Sequence, residues 1–366
     1  MKILYLTNIP SPYRVDYFNE LGKYCDLTVL FEIQSSTERD KSWKSYKAEN
    51  FKGIVMGGIR TRFDAAFCPS VIKYLKKGRY DYIVLTVLSS PTGILAASWL
   101  KMLHIPYHYE GDGGVARKAT GFKALLKRFI ISSANVCFST SHQFDEYCIT
   151  YGAKKERIWR YPFTSIYKSD ILNSVPSEAE KKTLKEQLGI TEEKFILSVG
   201  RILHLKGFDI LLKAFSQMKT DWGLYIIGGE ADEELKRIID EREIKNAHFL
   251  KFKLSEEVRK YYMAADIFVL PTRYDPWGLV INEAMAAGLP IITTYSCGAG
   301  VEMVKQGING FLYEAEDAQS LKKHLENLMD SEQNRQHMGE ESLSVVRNYT
   351  IEKMMEAHYH IWNEMR

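Results

Sequence analysis

Short β-branched runs alternate with segments of helical periodicity along the whole chain, and the alternation restarts once. The runs "KILYLT", "DLTVLF", "YDYIVLT", "IPYHYE" and "ANVCFST" punctuate the first half, and "KFILSVG", "WGLYIIGG", "AHFLKF", "ADIFVLP" and "LPIITT" the second. Runs apolar along both faces and separated by helix-length segments predict parallel strands covered by helices on both sides. Between the halves lies "SDILNSVPSEAEKKTLKEQLGITEEK", polar and without strand character, which reads as a link. The expected fold class is therefore α/β, with two doubly wound Rossmann-like domains. The N-terminal one covers 1–168, a linker 169–194, and the C-terminal one 195–345. The tail "YTIEKMMEAHYHIWNEM" has apolar residues at helical spacing, so 346–366 is expected as a helix crossing back to the N-terminal domain. A length of 366 residues suits two such domains. Open α/β sheets bind ligands beyond the carboxyl ends of their strands. Two of them facing across a cleft would gather the chemistry in their strand-to-helix loops.

Composition narrows the class further. An apolar fraction of 45% and a charged fraction of 26% fit a soluble globular chain. The five cysteines, Cys25, Cys68, Cys137, Cys148 and Cys297, are odd in number and lack metal or redox spacing, so reduced, buried thiols in a cytoplasmic protein are expected. "MKILYLTNIPSPYR" is too short in apolar residues for a signal peptide and reads as a first strand. Tyr82 to Leu100 runs 19 residues without a charge, near the length of a membrane span, but "SSPTG" in its middle reads as strand, turn and helix. The net charge of +3 hides an asymmetry: the first 165 residues hold 24 Lys and Arg against 14 Asp and Glu, the remainder 25 against 32. A basic half suits an anionic partner, or is simply solvated surface. It carries no RNP-like aromatics and no recognition-helix motif, so no nucleic-acid partner is expected.

Two loops of the second half stand out. In "SVGRILHLKGFDILLKAF" a strand ends at Gly200, Arg201 and Lys206 follow, and Gly207 leads into an amphipathic helix. Two cations five apart on such a loop suit a diphosphate, Arg as a bidentate donor and Lys as a compact charge. The alternative is an ordinary charged surface loop. In "TRYDPWGLVINEAMAAGLP", Asp275 and Glu283, eight positions apart, bracket the mouth of a helix. Gly278 leaves the backbone open. The amides of Leu279 and Val280 lie at the helix start, where unpaired N–H groups and the helix dipole attract phosphate. Glu283, one turn in, is placed to accept hydrogen bonds from a neutral diol such as a ribose, and Asp275 to hold hydroxyls beyond the phosphates. Diol, diphosphate and polyhydroxylated ring, in that order, make a nucleotide-sugar. A solvated Glu283 and a turn-forming Asp275 are the plainer alternative.

These two loops, in this order and separation, resemble the signature of the family-4 retaining glycosyltransferases of GT-B fold, and "AHFLKFKLSEEVRKYYMAAD" between them resembles it as well. The likeness is close over about residues 194–350 and loose before. It implies that Arg201 and Lys206 contact the donor diphosphate and that Gly278, Leu279 and Val280 supply amides to phosphate and sugar. It further implies that Glu283 binds the ribose, that Asp275 lies near the transferred sugar, and that Phe252 and Lys253 lie near the base. The sequence departs from the family in three places. Asp275 is one methylene shorter than the usual Glu, Lys251 stands where Gly is commoner, and "TNIPSPYRVDYF" has two prolines in place of a Gly-rich loop. The last trait resembles bacterial polysaccharide and lipopolysaccharide transferases, and puts Tyr13 and Arg14 on the acceptor side.

In the first half, "YHYEGDGGVARKATGFKALLKRFI" presents Gly111, Gly113 and Ala116 in a GxGxxA spacing. It comes late in its domain and the following strand lacks a ribose-binding acid, so a dinucleotide site is rejected. His108, Glu110 and Asp112 point towards the cleft, where one of them would orient or deprotonate an acceptor hydroxyl, or else form a satisfied polar loop. Downstream, Phe122, Leu125, Leu126 and Phe129 share one helix face, with Lys123, Lys127 and Arg128 outside it. Such a helix either lies on anionic lipid or turns its apolar face into the core.

No two aspartates stand two apart and no HExxH occurs, so no metal and no cofactor beyond the donor itself is expected. Arg201, Lys206 and the helix amides would carry the leaving-group charge. The reading is transfer of a glycosyl group from a UDP- or GDP-sugar to a hydroxyl of a glycan or lipid-linked acceptor, with retention. It is placed in the cytoplasm, peripheral to the inner membrane face. The alternatives are a GT-B epimerase or hydrolase acting on the nucleotide-sugar, and a non-catalytic scaffold.

Overall fold

The computed structural model describes residues 1–35, 47–88, 90–114 and 120–365. They divide into two compact units, Met1–Ser165 with Ile351–Arg366, and Ile166–Thr350.

The described strands of the first unit are β1 (Lys2–Thr7), β2 (Asp26–Phe31), β3 (Lys52–Val55), β4 (Ile59–Arg62), β5 (Ala65–Phe67), β6 (Tyr82–Leu85), β7 (His108–Glu110), β8 (Val136–Ser139) and β9 (Ile158–Arg160). Seven of them form a sheet in the order β3-β2-β1-β6-β7-β8-β9, every neighbouring pair parallel, while β4 and β5 pair antiparallel on their own. Ile3, Leu4, Tyr5 and Leu6 of β1 are all fully buried, as a central strand covered on both faces requires. The second unit has β10 (Phe195–Val199), β11 (Gly223–Ile227), β12 (Ala247–Leu250), β13 (Ile267–Leu270), β14 (Ile291–Thr294) and β15 (Gly310–Tyr313), in the parallel order β12-β11-β10-β13-β14-β15. Both units are doubly wound, and all ten apolar runs read from the sequence are strands. Those not read, β3, β4, β5, β9 and β15, are three or four residues long and lie at sheet edges or in the hairpin. Runs this short lack the extended apolar pattern that marks a central strand.

The uncharged stretch from Tyr82 divides into β6 and the helix Pro91–Met102, which starts at Ser90 with its hydroxyl accepting from Gly93 N at 2.9 Å. Among the described residues no helix is long and apolar enough to cross a membrane. All five cysteines are free, four buried and Cys25 half-buried.

The segment expected as a linker, 169–194, lies within the second unit and contains the helix Glu178–Leu188. A capping box at Ser177 and Glu180 starts it, and Gly189 in the left-handed region ends it. It is anchored by polar groups. Lys181 and Lys185 each donate to the fully buried Asp266 at 3.1 Å, and Asp266 also accepts from Phe195 N at 3.0 Å. Charges buried by pairing leave no apolar periodicity to read, which is why the stretch resembles a linker. The second unit closes with the helix Glu332–Val346, and the helix Ile351–Glu364 belongs to the first unit, where Tyr82 OH donates to Trp362 O at 2.7 Å.

The helix Phe122–Ile131 does not turn the whole of its expected apolar face into the core. Ile130 and Ile131 are its buried residues and Leu126 packs partly against the core, while Phe122, Leu125 and Phe129 face outward. Ala116 lies outside the described residues.

Candidate functional site

In the second unit the strand order reverses between β10 and β13. At such a switch point the following loops turn to opposite faces of the sheet, which is where open α/β sheets take ligands. The loop after β10 carries Gly200, Arg201 and Lys206, and the loop after β13 carries Asp275 and Gly278. Backbone and side chain tie them together. Arg273 N and Thr272 Oγ1 both donate to Leu205 O at 2.8 Å, and Arg273 Nη1 donates to His204 O at 2.6 Å. Arg273 is itself held by Asp209 through two bonds, of 2.7 and 2.9 Å. Gly207 permits the close approach: its φ is +71°, and a Cβ there would meet Pro271 O at 2.0 Å.

This registry sets Lys206 Nζ 2.5 Å from Asp275 Oδ2, with both side chains still reached by solvent. Asp275 Oδ1 accepts from Trp277 N at 3.3 Å. Trp277 is buried, with its indole N–H donating to the buried Asn282 at 2.9 Å, so the turn is clamped from beneath. Gly278 follows with φ +93°, and a Cβ there would fall 2.8 Å from Cys297 Sγ. Burial, with Asp275 nearby, pushes the Cys297 thiol up to about 12, and its Sγ donates to Trp277 O at 3.0 Å. It therefore acts as a donor within the turn.

The helix Leu279–Ala286 begins after Gly278, and its first intrahelical bond runs from Ile281 N to Gly278 O at 2.9 Å. The amides of Leu279 and Val280 precede it and have no helix carbonyl of their own to meet. Glu283 is half-buried, and its Oε2 accepts from Tyr262 OH at 3.0 Å. Burial first, and the neighbouring Glu283 second, raise the Tyr262 phenol well above its ordinary value, so it stays a donor. Phe252, half-exposed, and Lys253, 3.5 Å from Glu257, follow β12, two strands from β10. The structure thus brings Lys206, Asp275 and Gly278 together and aligns Glu283 one turn further in. Tyr262, which orients Glu283, escaped the sequence reading because nothing local links positions 21 apart on different helices.

The first unit corrects two expectations. Glu110, expected to face an acceptor, is fully buried at the end of β7. It pairs with Arg14 through Oε1, while Oε2 accepts from Tyr5 OH at 3.0 Å and lies 3.2 Å from His358 Nε2. Burial alone would raise its pKa, but the Arg14 charge and the bonds from His358 and Arg14 outweigh burial and hold the carboxyl at about 2. A carboxylate so closed in has no face left for a substrate hydroxyl. His108, also expected to face outward, is buried between the rings of Tyr82 and Phe138, and burial lowers its pKa to about 4. Both corrections share a cause: β7 is an inner strand covered on both faces. Asp112, two residues past Glu110, is different. It pairs with Arg14 and accepts from Tyr13 OH at 3.0 Å, yet its side chain is 40% exposed. Tyr13, Arg14 and Asp112 therefore stand together, with Asp112 the accessible carboxylate. His358 carries no sequence signal for this cluster, since 248 residues separate it from Glu110.

Among the described residues no cluster of three or more His, Cys, Asp or Glu is placed to hold a metal ion.

Two doubly wound parallel-sheet domains, the second with a loop-and-helix-mouth site at its switch point, define a protein of the GT-B fold. Residues 180–344 match the family model described as glycosyl transferases group 1. It is 33% identical over 216 residues to an uncharacterized glycosyltransferase of Haemophilus influenzae, covering 57% of this chain and 58% of that one. The chain thus spans less than two thirds of that relative. It is 25% identical over 289 residues to the N,N'-diacetylbacillosaminyl-diphospho-undecaprenol alpha-1,3-N-acetylgalactosaminyltransferase of Campylobacter jejuni, covering 76% of this chain and 75% of that one. Among solved structures, Anabaena Alr3699/HepE in complex with UDP superposes with a TM-score of 0.81 at 18% identity over 100% of both chains.

Proposed function

We propose that the chain is a retaining glycosyltransferase that moves a sugar from a UDP- or GDP-sugar to a hydroxyl of a glycan or lipid-linked acceptor, in cell-surface polysaccharide synthesis. The observation that carries this is the Lys206–Asp275 pair beside the Gly278 turn, with Glu283 one helical turn beyond. Arg201, Lys206 and the amides of Leu279 and Val280 receive the diphosphate, at a switch point and a helix mouth suited to anions. Glu283, held by Tyr262, accepts from the ribose diol. Phe252 and Lys253 flank the base, and Asp275 meets the transferred sugar. The likeness to a UDP-bound structure supports the nucleotide, and the undecaprenol-linked relative supports the acceptor class.

In the reaction the bond from the anomeric carbon to the diphosphate oxygen breaks and one to the acceptor oxygen forms on the same face. The acceptor proton passes to the departing phosphate. Arg201 and Lys206 stabilise charge as it develops on the leaving group, and the missing Asp-x-Asp motif supports a leaving group held by these cations. In the first unit, Asp112 with Tyr13 and Arg14 is assigned to the acceptor side.

A thermal-shift panel of UDP, GDP, ADP and their common sugars tests the reading, with Glu283→Ala as control. A ligand at about a hundred times its Kd adds roughly 2.7 kcal/mol. Stabilisation by one base family that Glu283→Ala abolishes supports it, and no shift with any nucleotide overturns it.

A further inference from the structure

The hairpin of β4 and β5 pairs with no strand of the first sheet, and side chains hold it in place instead. Ala66 N donates to Glu32 Oε2 at 2.8 Å, and Ala66 O accepts from Thr92 Oγ1 at 2.6 Å. Thr92 Oγ1 also accepts from Cys68 N at 2.8 Å, and Cys68 Sγ donates to Glu32 O at 3.4 Å. At the turn, Asn8 Nδ2 donates to Asp64 Oδ2 at 3.1 Å. The hairpin is thus tied to the segments that follow β1, β2 and β6. Between β1 and β6 the strand order of the first sheet reverses, the kind of place where open α/β sheets take ligands. Apolar packing under the hairpin is slight. Ala66 and Cys68 form a small cluster with Ile9 and Ile33, apart from the main core of the unit, while Ile59, Phe63 and Phe67 face outward. Few buried contacts and few ladder bonds mark a segment able to open without the rest.

Glu32 is the titratable member of this latch, and it is fully buried. The Ser90 hydroxyl bonds its second oxygen, and Ser90 Oγ also lies 3.4 Å from Val87 O. Rotation of that hydroxyl satisfies either state of the carboxyl. An ionised Glu32 accepts from Ser90; a protonated one donates to it, and Ser90 then donates to Val87 O. What differs is the charge. No cation among the described residues pairs with Glu32, and the charge that acts on it is that of Asp64, of like sign and on the hairpin itself. The other groups nearby offer no relief. Burial raises the Cys68 thiol, which stays neutral. Arg60 donates to Phe63 O and Ser35 O at 2.8 and 2.9 Å, and Arg62 is exposed. Lys101, the titratable residue of the helix Pro91–Met102, lies in its last turn.

We propose that the hairpin is a proton-controlled cover at the reversal of the first sheet, held shut while Glu32 is protonated and released as it ionises. Opening hydrates the carboxyl and returns it to its ordinary range. Burial holds the closed form at about 7, so the closed form keeps the extra proton. Its stability is complete below the ordinary carboxylate range and falls as pH rises to about 7, where opening levels off because both forms are then ionised. The device stands apart from the donor reading, because it needs neither nucleotide nor acceptor.

The test is amide hydrogen exchange of the full chain, read by mass spectrometry at pH 5, 6, 7 and 8 and corrected for the intrinsic rate. Peptides over residues 58–68 are compared with peptides over β1 and β6. The unsubstituted chain is set beside Glu32→Gln and Asp64→Asn, with melting and circular dichroism to check the fold. Opening of the hairpin is expected to rise at least about ten-fold from pH 5 to pH 7 and then to level off. Glu32→Gln still accepts from Ala66 N and donates to Ser90 without charge, so it is expected to stay closed at every pH. Asp64→Asn keeps the acceptor for Asn8 and removes the like charge, so a smaller rise is expected. Hairpin exchange that does not change with pH, or a rise that persists in Glu32→Gln, overturns the proposal. So does an equal rise in β1 and β6, which would assign the effect to unfolding of the whole unit.

Discussion

Lys206 Nζ lies 2.5 Å from Asp275 Oδ2, joining the loops that follow β10 and β13 across the reversal of the second sheet. The cation neutralises the carboxylate beside a helix mouth of the kind that attracts anions. If the pair serves the proposed transfer, its members separate on substitution. Lys206→Ala is expected to lower turnover roughly a hundred- to a thousand-fold, the usual cost of removing one preorganised donor to a developing charge. Asp275→Asn is expected to keep nucleoside diphosphate binding while turnover collapses, because the carboxylate is assigned to the sugar. Calorimetric titration with UDP and GDP, beside initial rates, separates the two effects. Near-normal rates in Lys206→Ala would remove the assignment.

Gly278→Ala tests the turn itself. The new Cβ would require a side chain at φ +93° and lie 2.8 Å from Cys297 Sγ, over a floor fixed by Trp277 and Asn282. A loss of roughly 1–3 kcal/mol in denaturant-measured stability is expected. A neutral result would mean that the turn relaxes at little cost and does not hold the helix mouth in place.

Glu110 and Asp112, two residues apart, should respond oppositely. Glu110→Ala leaves the buried Arg14 with only the part-exposed Asp112 and takes the acceptor from Tyr5 and His358. Breaking a buried pair from one side costs up to about 3–5 kcal/mol, so a large fall in melting temperature is expected. Asp112→Asn, at a part-exposed position, should change the melting temperature little and raise the KM for the acceptor. Parallel melting curves and acceptor titrations decide, and the reverse pattern would return Glu110 to the candidate site.

Glu32 supplies a pH signature. It is fully buried at the end of β2, accepting from Ala66 N at 2.8 Å and from the Ser90 hydroxyl, and burial raises its carboxyl to about 7 against the hydrogen bonds that favour its charge. A folded-state pKa above the unfolded value means that the native state holds the extra proton. The stability from this group is therefore complete below the unfolded carboxylate range and declines as pH rises through about 7. Glu32→Gln removes the titration. Its stability relative to the unsubstituted chain is expected to rise between pH 5 and pH 8, measured by urea unfolding across that range. A constant difference would show that Glu32 is already charged in the fold.

Much of the fold was legible because central parallel strands need apolar residues on both faces, and "KILYLT" or "ADIFVLP" admits few other readings. Five edge and hairpin strands were not legible, since three or four residues are too few to display a strand pattern. In the second unit the candidate site was legible in its backbone logic. A strand, a cationic loop and a glycine before a helix are local features, and Arg201, Lys206, Gly278 and Glu283 follow from them. Glu110 and His108 misled because "YHYEGDGG" looks like an open polar loop, whereas His108 and Glu110 themselves belong to a buried strand. Polarity in a sequence does not distinguish a group facing solvent from one satisfied inside.

The sequence by itself determined two doubly wound domains and which loops carry the cations, the carboxylates and the glycine before a helix, because hydrophobic period and backbone preference act over a few neighbouring positions. Only the tertiary structure decided which polar groups are spent on one another. Glu110 is consumed by Arg14, Tyr5 and His358, Asp266 by the lysines of an apparent linker, and Glu283 is aimed by Tyr262. It also left Phe122 and Leu125 in solvent. Such pairings depend on distance in space between residues far apart in the chain, and a buried charge persists only where that distance closes.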